Sequence, residues 1–287
     1  MDYAIQVKNL TKTYKDFTLD NISFDLPCGT VMGLIGENGA GKSTFINALL
    51  NITSAQYDQV TILGHDLNTQ IKLIKEDIAV IFSDSHYELS FTPLFVGKML
   101  SKVYKNWNQK KYLDYLKRFG LPEKKRLKKF SIGMRVKLEF AAAFSHDPKL
   151  LILDEATTGL DPVVRNEILD ITREYAKGKD RTVLMSSHIA NDLDRIADYI
   201  ACIHEGKLLF IRAYDELQNN YGIINCSRQF LDTLSPDDIA AYRKEAYNYR
   251  VLVSNRQKLK SVFTDVWIEN ASIEDIILFY TKGEKIR

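Results

Sequence analysis

Gly36-Glu-Asn-Gly-Ala-Gly41-Lys42-Ser43 satisfies the pattern GxxxxGK[ST], and its flanks decide what the pattern means. Before it, Thr30 to Ile35 is a nearly continuous apolar run, of the kind buried on both faces of a parallel sheet; after it, Ser43 to Leu50 reads as a helix. Strand, glycine-rich turn and helix in that order make a loop whose backbone N–H groups converge on phosphate oxygens, with the positive end of the helix behind them. At average composition such a pattern arises by chance in roughly one chain in a hundred of this length, and the strand-to-helix context removes most of that risk. Gly36, Asn38, Gly39, Ala40, Gly41, Lys42, Ser43 and Thr44 are the candidate contacts to a bound nucleotide. Lys42 is placed to hold the β- and γ-phosphates and the Ser43 hydroxyl to ligate Mg2+.

Two more apolar strands follow, Leu150 to Asp154 and Thr182 to Ser186, each leading into a helical pattern (Val163 to Tyr175 and Ile189 to Ala197). Alternation of this kind predicts a parallel sheet with helices on its faces. Both strands end in polar residues. Asp154 can reach the Mg2+ shell, while Glu155, one residue on, points the other way and can polarise a water for in-line attack on the γ-phosphate. His188 follows the third strand in a position that faces the same nucleotide.

Around this frame the chain divides further. Ile5 to Leu10 and Phe17 to Leu26 alternate like a half-buried antiparallel hairpin with Tyr14-Lys15-Asp16 at its bend. Residues 84–147, broken by Pro93 and by Gly120-Leu-Pro122, carry Lys, Leu and Tyr at helical spacing and predict a helical insert. Asn219-Asn220-Tyr221-Gly222 predicts a linker, dividing the chain into 1–218 and 219–287. Beyond it, strands are expected at Tyr249 to Ser254 and Val266 to Ile268, and a helix start at Ser272-Ile-Glu-Asp275.

Composition excludes several classes. With 45% hydrophobic and 26% charged residues the chain is not disordered. No stretch approaches the ~18 uninterrupted apolar residues of a membrane-spanning helix. The first ten residues alternate like a strand and lack the pattern of a signal peptide, so the cytoplasm is the expected compartment. Cys28, Cys202 and Cys226 are odd in number and without a CxxC pair, against a disulfide framework or zinc site. The net charge of +2 conceals an asymmetry: Lys98 to Lys137 holds 14 Lys or Arg against two acids, a net +12, and the remainder carries −10. Such a run is either a solvated face or a surface for anionic headgroups or acidic loops of a partner. Tyr104, Trp107, Tyr112 and Tyr115 are interleaved with it, but no groove-forming motif supports nucleic-acid binding.

The ordered motifs resemble those of the ATP-binding subunits of ABC transporters, over Ile5 to about Phe210. Phe130-Ser131-Ile132-Gly133-Met134 lies where the family's LSGGQ signature belongs, Gly159-Leu160-Asp161 looks like the D-loop, His188 like the switch histidine and Tyr14 like the aromatic that stacks on adenine. Leu-Asp-Glu-Ala-Thr-Thr-Gly-Leu-Asp-Pro162 with Arg165, and a C-terminal extension ending in Ile273-Glu-Asp-Ile276, are most similar to ABC-2 type exporters. The resemblance implies an α/β P-loop NTPase with an N-terminal antiparallel β-subdomain, a helical signature subdomain and a small C-terminal α+β extension. It implies ATP and Mg2+ at a site shared by two subunits, where Ser131 and Gly133 of one copy meet the nucleotide held by the other, with Asp161 of the D-loop also among the nucleotide contacts. Lys42, Glu155 and His188 would be catalytic, and Ser43 and Asp154 would hold the metal. A homodimer or a heterodimer with a second ATPase subunit is implied, working with separate transmembrane permease subunits on the inner face of the cell membrane; a non-transport regulatory ATPase of the same type is the alternative. Two positions depart from the family: Ile132 replaces the first signature glycine, and Ser83-Asp84 stands where a glutamine follows the strand at Ile78 to Phe82. Either Asp84 contacts metal or water in its stead, or communication with the membrane partner is altered.

Overall fold

The computed structural model describes residues 2–83 and 87–284. The chain runs β1 (Tyr3–Thr13), β2 (Thr18–Pro27), β3 (Val31–Ile35), α1 (Lys42–Leu49), β4 (Gln59–Ile62), β5 (His65–Asp66), α2 (Ile71–Asp77) and β6 (Ile78–Phe82). The insert supplies α3 (Pro93–Leu100), α4 (Gln109–Arg118) and α5 (Ile132–Phe144). Then come β7 (Leu150–Asp154), α6 (Pro162–Ala176), β8 (Thr182–Ser187), α7 (Ala190–Ile196), β9 (Tyr199–His204), β10 (Lys207–Ala213) and α8 (Tyr214–Asn220). The last third is β11 (Gly222–Cys226), α9 (Arg228–Leu231), β12 (Ile239–Lys244), β13 (Tyr249–Val253), α10 (Arg256–Val262), β14 (Ile268–Asn270) and α11 (Ile273–Lys282).

The central sheet has the order β10-β9-β3-β8-β7-β6, parallel from β9 to β6, with β10 added antiparallel at one edge. Its strands are apolar at successive positions because each side is covered. In β3, Met32 and Leu34 face a core shared with α1 and the hairpin sheet β2-β1-β4-β5, while Val31 and Ile35 face the opposite core with α5, α6 and α7. The same alternation holds in β7, where Leu150 and Ile152 face the first core and Leu151 and Leu153 the second.

The insert is helical in its described residues, and the aromatics interleaved with its basic run pack inward: Trp107 and Tyr115 lie partly buried against the core. Tyr112 is fully buried with its hydroxyl donating to Pro93 O at 2.8 Å, and Tyr104 stacks on His146 at 3.9 Å. These rings hold the insert together and offer no stacking platform. Ser83 is an exposed residue just after β6, whereas Asp84 lies outside the described residues.

Asn219-Asn220-Tyr221-Gly222 is not a linker. It is the end of α8 and the start of β11, and Tyr221 between them is buried at 5% exposure. Burial wins over turn composition here because the C-terminal sheet, order β12-β13-β11-β14, continues the second core. Ile223, Leu252, Ile276 and Phe279 belong to the same apolar cluster as Phe210, Leu217, Leu193 and Ile196. The other face of that sheet packs Ile224, Val251 and Val253 on Leu231 and Leu259 of α9 and α10. Ser272 and Asp275 form the expected capping box at the head of α11, which is amphipathic and buries Ile273, Ile276 and Phe279.

Candidate active site

β3 delivers the chain to Gly36, where a Cβ would lie 2.2 Å from the backbone oxygen of Ile203 in the neighbouring strand; glycine alone fits. Gly39 and Gly41 adopt φ of +83° and +114°, the left-handed region that curls the loop back toward α1. Gly206 N donates to Ala40 O at 2.9 Å, tying the loop to the β9–β10 turn. No side chain caps α1, whose N-cap is Gly41, so its first N–H groups are left to an anion. Lys42, only 5% exposed, folds over this loop: its ammonium donates to Gly36 O at 2.7 Å and Glu37 O at 3.2 Å and sits 3.1 Å from Glu155 Oε1.

β7 lies one strand away from β3, with β8 between, and ends in the acid pair. Asp154 Oδ1 accepts from Ser43 Oγ at 3.1 Å and from Ser186 Oγ at 2.6 Å. Ser186 Oγ in turn accepts from Glu155 N at 3.0 Å. Glu155 has φ +53°, and this left-handed residue swings its side chain away from Asp154. Its Oε2 is 2.7 Å from His188 Nδ1 and accepts from Thr158 Oγ1 at 2.9 Å. Burial pushes the Glu155 carboxyl up, but His188, Lys42 and Thr158 outweigh it and hold the group below the usual glutamate range. Glu155 is therefore ionised at neutral pH, with the charge a general base requires.

The donor set fits Mg2+ and does not fit an all-protein metal cage. Among the described residues no group of three or more His, Cys, Asp or Glu converges on one point. Mg2+ takes one or two protein oxygens and completes its octahedron with phosphates and waters, and the paired Ser43 and Asp154 at the mouth of the phosphate loop meet that need.

The remaining expected site residues lie elsewhere on the chain. Ser131 caps α5, accepting from Met134 N at 3.2 Å, and is exposed. Gly133 packs against α6, where a Cβ would meet Val164 Cγ1 at 3.0 Å. Asp161 caps α6, accepting from Val163 N and Val164 N at 3.1 Å each, and is exposed. No hydrogen bond or ion pair among the described residues joins Ser131, Gly133 or Asp161 to the Lys42–Glu155–His188 cluster. Tyr14 is 45% exposed at the hairpin bend, with Lys12 Nζ 5.1 Å from its ring centroid. Its N–H donates to Phe17 O, and the Phe17 ring packs on Gly41, which brings the bend to the edge of the phosphate loop.

Sequence reasoning missed several residues. Ser186, which links the Asp154 carboxylate to the backbone N–H of Glu155, carries no motif signal beyond its strand end. Asp192, 1% exposed, bonds Arg165 Nε at 2.6 Å and Thr157 Oγ1 at 2.7 Å and so clamps the turn after Glu155 between α6 and α7. α11 reaches the same rim: Lys282 Nζ is 3.7 Å from Glu37 Oε1, and Ile277 and Thr281 line, with Gly36, Glu37 and His188, a cavity of about 310 Å³.

A glycine cradle at the end of a buried parallel strand, with an acid pair and a histidine at the ends of the next two strands, defines a P-loop NTPase. Residues 19–158 match the ABC transporter family. The chain is 32% identical over 229 residues to the lantibiotic transport ATP-binding protein SrtF of Streptococcus pyogenes, covering 77% of this chain and 96% of that protein. To the bacitracin transport ATP-binding protein BcrA of Bacillus licheniformis it is 33% identical over 224 residues, covering 76% and 72%. A solved ATP-binding subunit of an ABC transporter superposes with a TM-score of 0.68 at 26% identity, covering 82% of this chain and 96% of that one. The chain belongs to the ATP-binding subunits of ABC transporters. It is an ATPase of that family.

Proposed function

We propose that this chain hydrolyses ATP as one half of a head-to-tail dimer and so powers an exporter whose permease is a separate membrane subunit. The observation that carries the dimer is the separation within one chain of two sets of residues. Lys42, Glu155 and His188 close on one another over the phosphate loop, whereas Ser131 and Asp161 stand exposed at the heads of α5 and α6 with no link to them. A second copy turned about a two-fold axis brings those exposed heads to the nucleotide.

Within each site, Glu155 takes the proton of the attacking water, His188 orients that carboxylate, Lys42 holds the phosphates and Tyr14 stacks on adenine. Ser43 and Asp154 would hold Mg2+, which when bound would supply neutralisation of the phosphate charge. The exporter reading is supported by relatives whose names carry lantibiotic transport, bacitracin transport and daunorubicin/doxorubicin resistance. No helix among the described residues is long and apolar enough to cross a membrane, in keeping with a permease that is a separate chain. A groove of about 350 Å³ between the central sheet and the insert, where Ile52 is 63% and Val103 61% exposed, offers that permease an apolar seat. Residues 219–287 form an accessory unit that braces the phosphate loop through α11.

ATPase activity measured against protein concentration tests the dimer. Specific activity rises with concentration if each site borrows Ser131 from a neighbour, and Lys42→Ala abolishes it. A concentration-independent rate in a chain shown to be monomeric by sedimentation overturns the shared site.

A further inference from the structure

The basic run of the insert is not one surface. Lys105, Lys111, Arg118 and Lys137 pair with Glu76, Asp147, Glu174 and Glu167. Lys124, Lys125, Arg126, Lys128 and Lys129 do not: all five are exposed, and none makes an ion pair among the described residues. The segment that carries them is nonetheless fixed. Leu127, 0% exposed, and Phe130, 5% exposed, anchor it in the insert core. Leu127 N donates to Phe91 O at 2.9 Å, Lys128 N to Leu89 O at 2.8 Å and Leu94 N to Glu123 O at 3.2 Å. These bonds lay residues 123–128 alongside residues 89–94, so the cations share a surface with Leu89 at 47% and Phe95 at 48% exposure. Glu88 and Glu123 are the acids of the two segments, and the patch keeps a net charge of +3.

We infer that this patch is a contact site for the anionic lipid headgroups of the leaflet on which the transporter sits. Four of the five cations are lysines, compact point charges on long stems, suited to a diffuse negative surface more than to one stereospecific carboxylate. Leu89 and Phe95 beside them supply the apolar contact that lets a basic face settle into the headgroup layer. The field of the leaflet fades within a Debye length of ~8 Å, so the attraction acts only at contact. Because Phe130 and Ser131 follow directly, headgroup contact here bears on the orientation of α5. The inference takes its setting from the transporter reading, but its deciding measurement, vesicle binding, needs no permease, so the two fail separately.

The test is co-sedimentation of the full chain with vesicles of phosphatidylcholine alone or mixed with phosphatidylglycerol, at low and high salt. The expected result is binding to anionic vesicles only, reversed by salt. Each cation contributes roughly fivefold to the partition coefficient, so the combined variant K124Q/K125Q/R126Q/K128Q/K129Q should lower it by on the order of 10³-fold. Phe95→Ser should lower it several-fold with the salt dependence kept. Melting temperature and nucleotide binding of both variants, measured alongside, exclude misfolding as the cause. Failure of the wild-type chain to bind anionic vesicles at low salt overturns the inference, as does equal binding by the five-residue variant. If vesicles do not bind but the variant no longer co-purifies with the permease, the patch is a protein contact and the lipid assignment is wrong.

Discussion

Lys42 and Lys124 carry the same ammonium group, and everything around them differs. Lys42 is 5% exposed, held by two loop carbonyls and by the Glu155 carboxylate, which His188 holds in turn. Lys124 stands in solvent within the most basic stretch of the chain. Charge density along the sequence therefore says little about where reactive charge sits. The +12 segment contains neither Lys42 nor any of Asp154, Glu155 and His188, of which the last three stand just at or after the ends of apolar strands. Desolvation is costly for an ion, so a buried one persists only where partners are fixed around it, and that fixed array is what chemistry requires.

The contrast is tested first at its strongest point. Glu155→Gln keeps the shape of the side chain and removes the base, and should slow hydrolysis by about 10²- to 10⁴-fold while ATP still binds. An ATP-bound dimer should then persist on size-exclusion chromatography; turnover at the wild-type rate would place the base elsewhere.

The next effect lies in the insert, and it is one of packing. A Cβ on Gly97 would sit 2.5 Å from Cε1 of the buried Tyr112 ring, so Gly97→Val should destabilise the chain by about 1–3 kcal/mol through overpacking. Thermal unfolding reads it. An unchanged melting temperature would mean that the insert core yields, and with it the claim that residues 123–129 are rigidly mounted.

A smaller change separates the partners of Glu155. His188→Ala removes the hydrogen bond that is the largest influence lowering its pKa and leaves burial to raise it. The acid limb of the kcat/KM profile should move to higher pH, because a carboxyl with a higher pKa is protonated sooner as pH falls. By linkage, the stability that wild-type Glu155 contributes is present above its unfolded pKa and fades as pH falls through the lower folded value. A limb that stays in place while kcat drops would give His188 a role apart from Glu155.

The least effect is expected where charge is densest. Lys125→Gln should alter the stability of the free chain by no more than about 0.5 kcal/mol, because the side chain is exposed and unpaired. A larger loss in denaturant titration would mean that the patch supports the fold, and the distinction between the two kinds of lysine would narrow.

Much of the site was legible in the linear sequence for local reasons. The glycines at 39 and 41 are required by left-handed backbone geometry within one turn, and the runs at 31–35, 150–153 and 183–185 are almost continuously apolar because both faces of their sheet are covered. A residue next to the end of such a run must emerge at the sheet's edge, so Asp154, Glu155 and His188 could be placed without knowing the fold. The short elements β4, β5 and α2, and β11 behind its Asn-Asn-Tyr-Gly sequence, gave no usable signal, since two to seven residues are too few for a period to stand out.

What the tertiary structure alone decided are the contacts between distant segments. Nothing in the spacing of Ser186 and Asp154 says that one hydroxyl links the Asp154 carboxylate to the backbone N–H of Glu155; that follows from β7 and β8 being neighbours in register. The half-buried Arg165–Asp192 pair, the approach of Lys282 to Glu37, and the alignment of residues 123–128 with 89–94 that sets cations beside Leu89 and Phe95 arise in the same way. Sequence determines what each segment can do by itself, because periodicity, turn chemistry and burial are local. Which segments meet is settled only when the whole apolar surface of the chain finds a packing that covers it, and the partners of each charge are fixed by that packing.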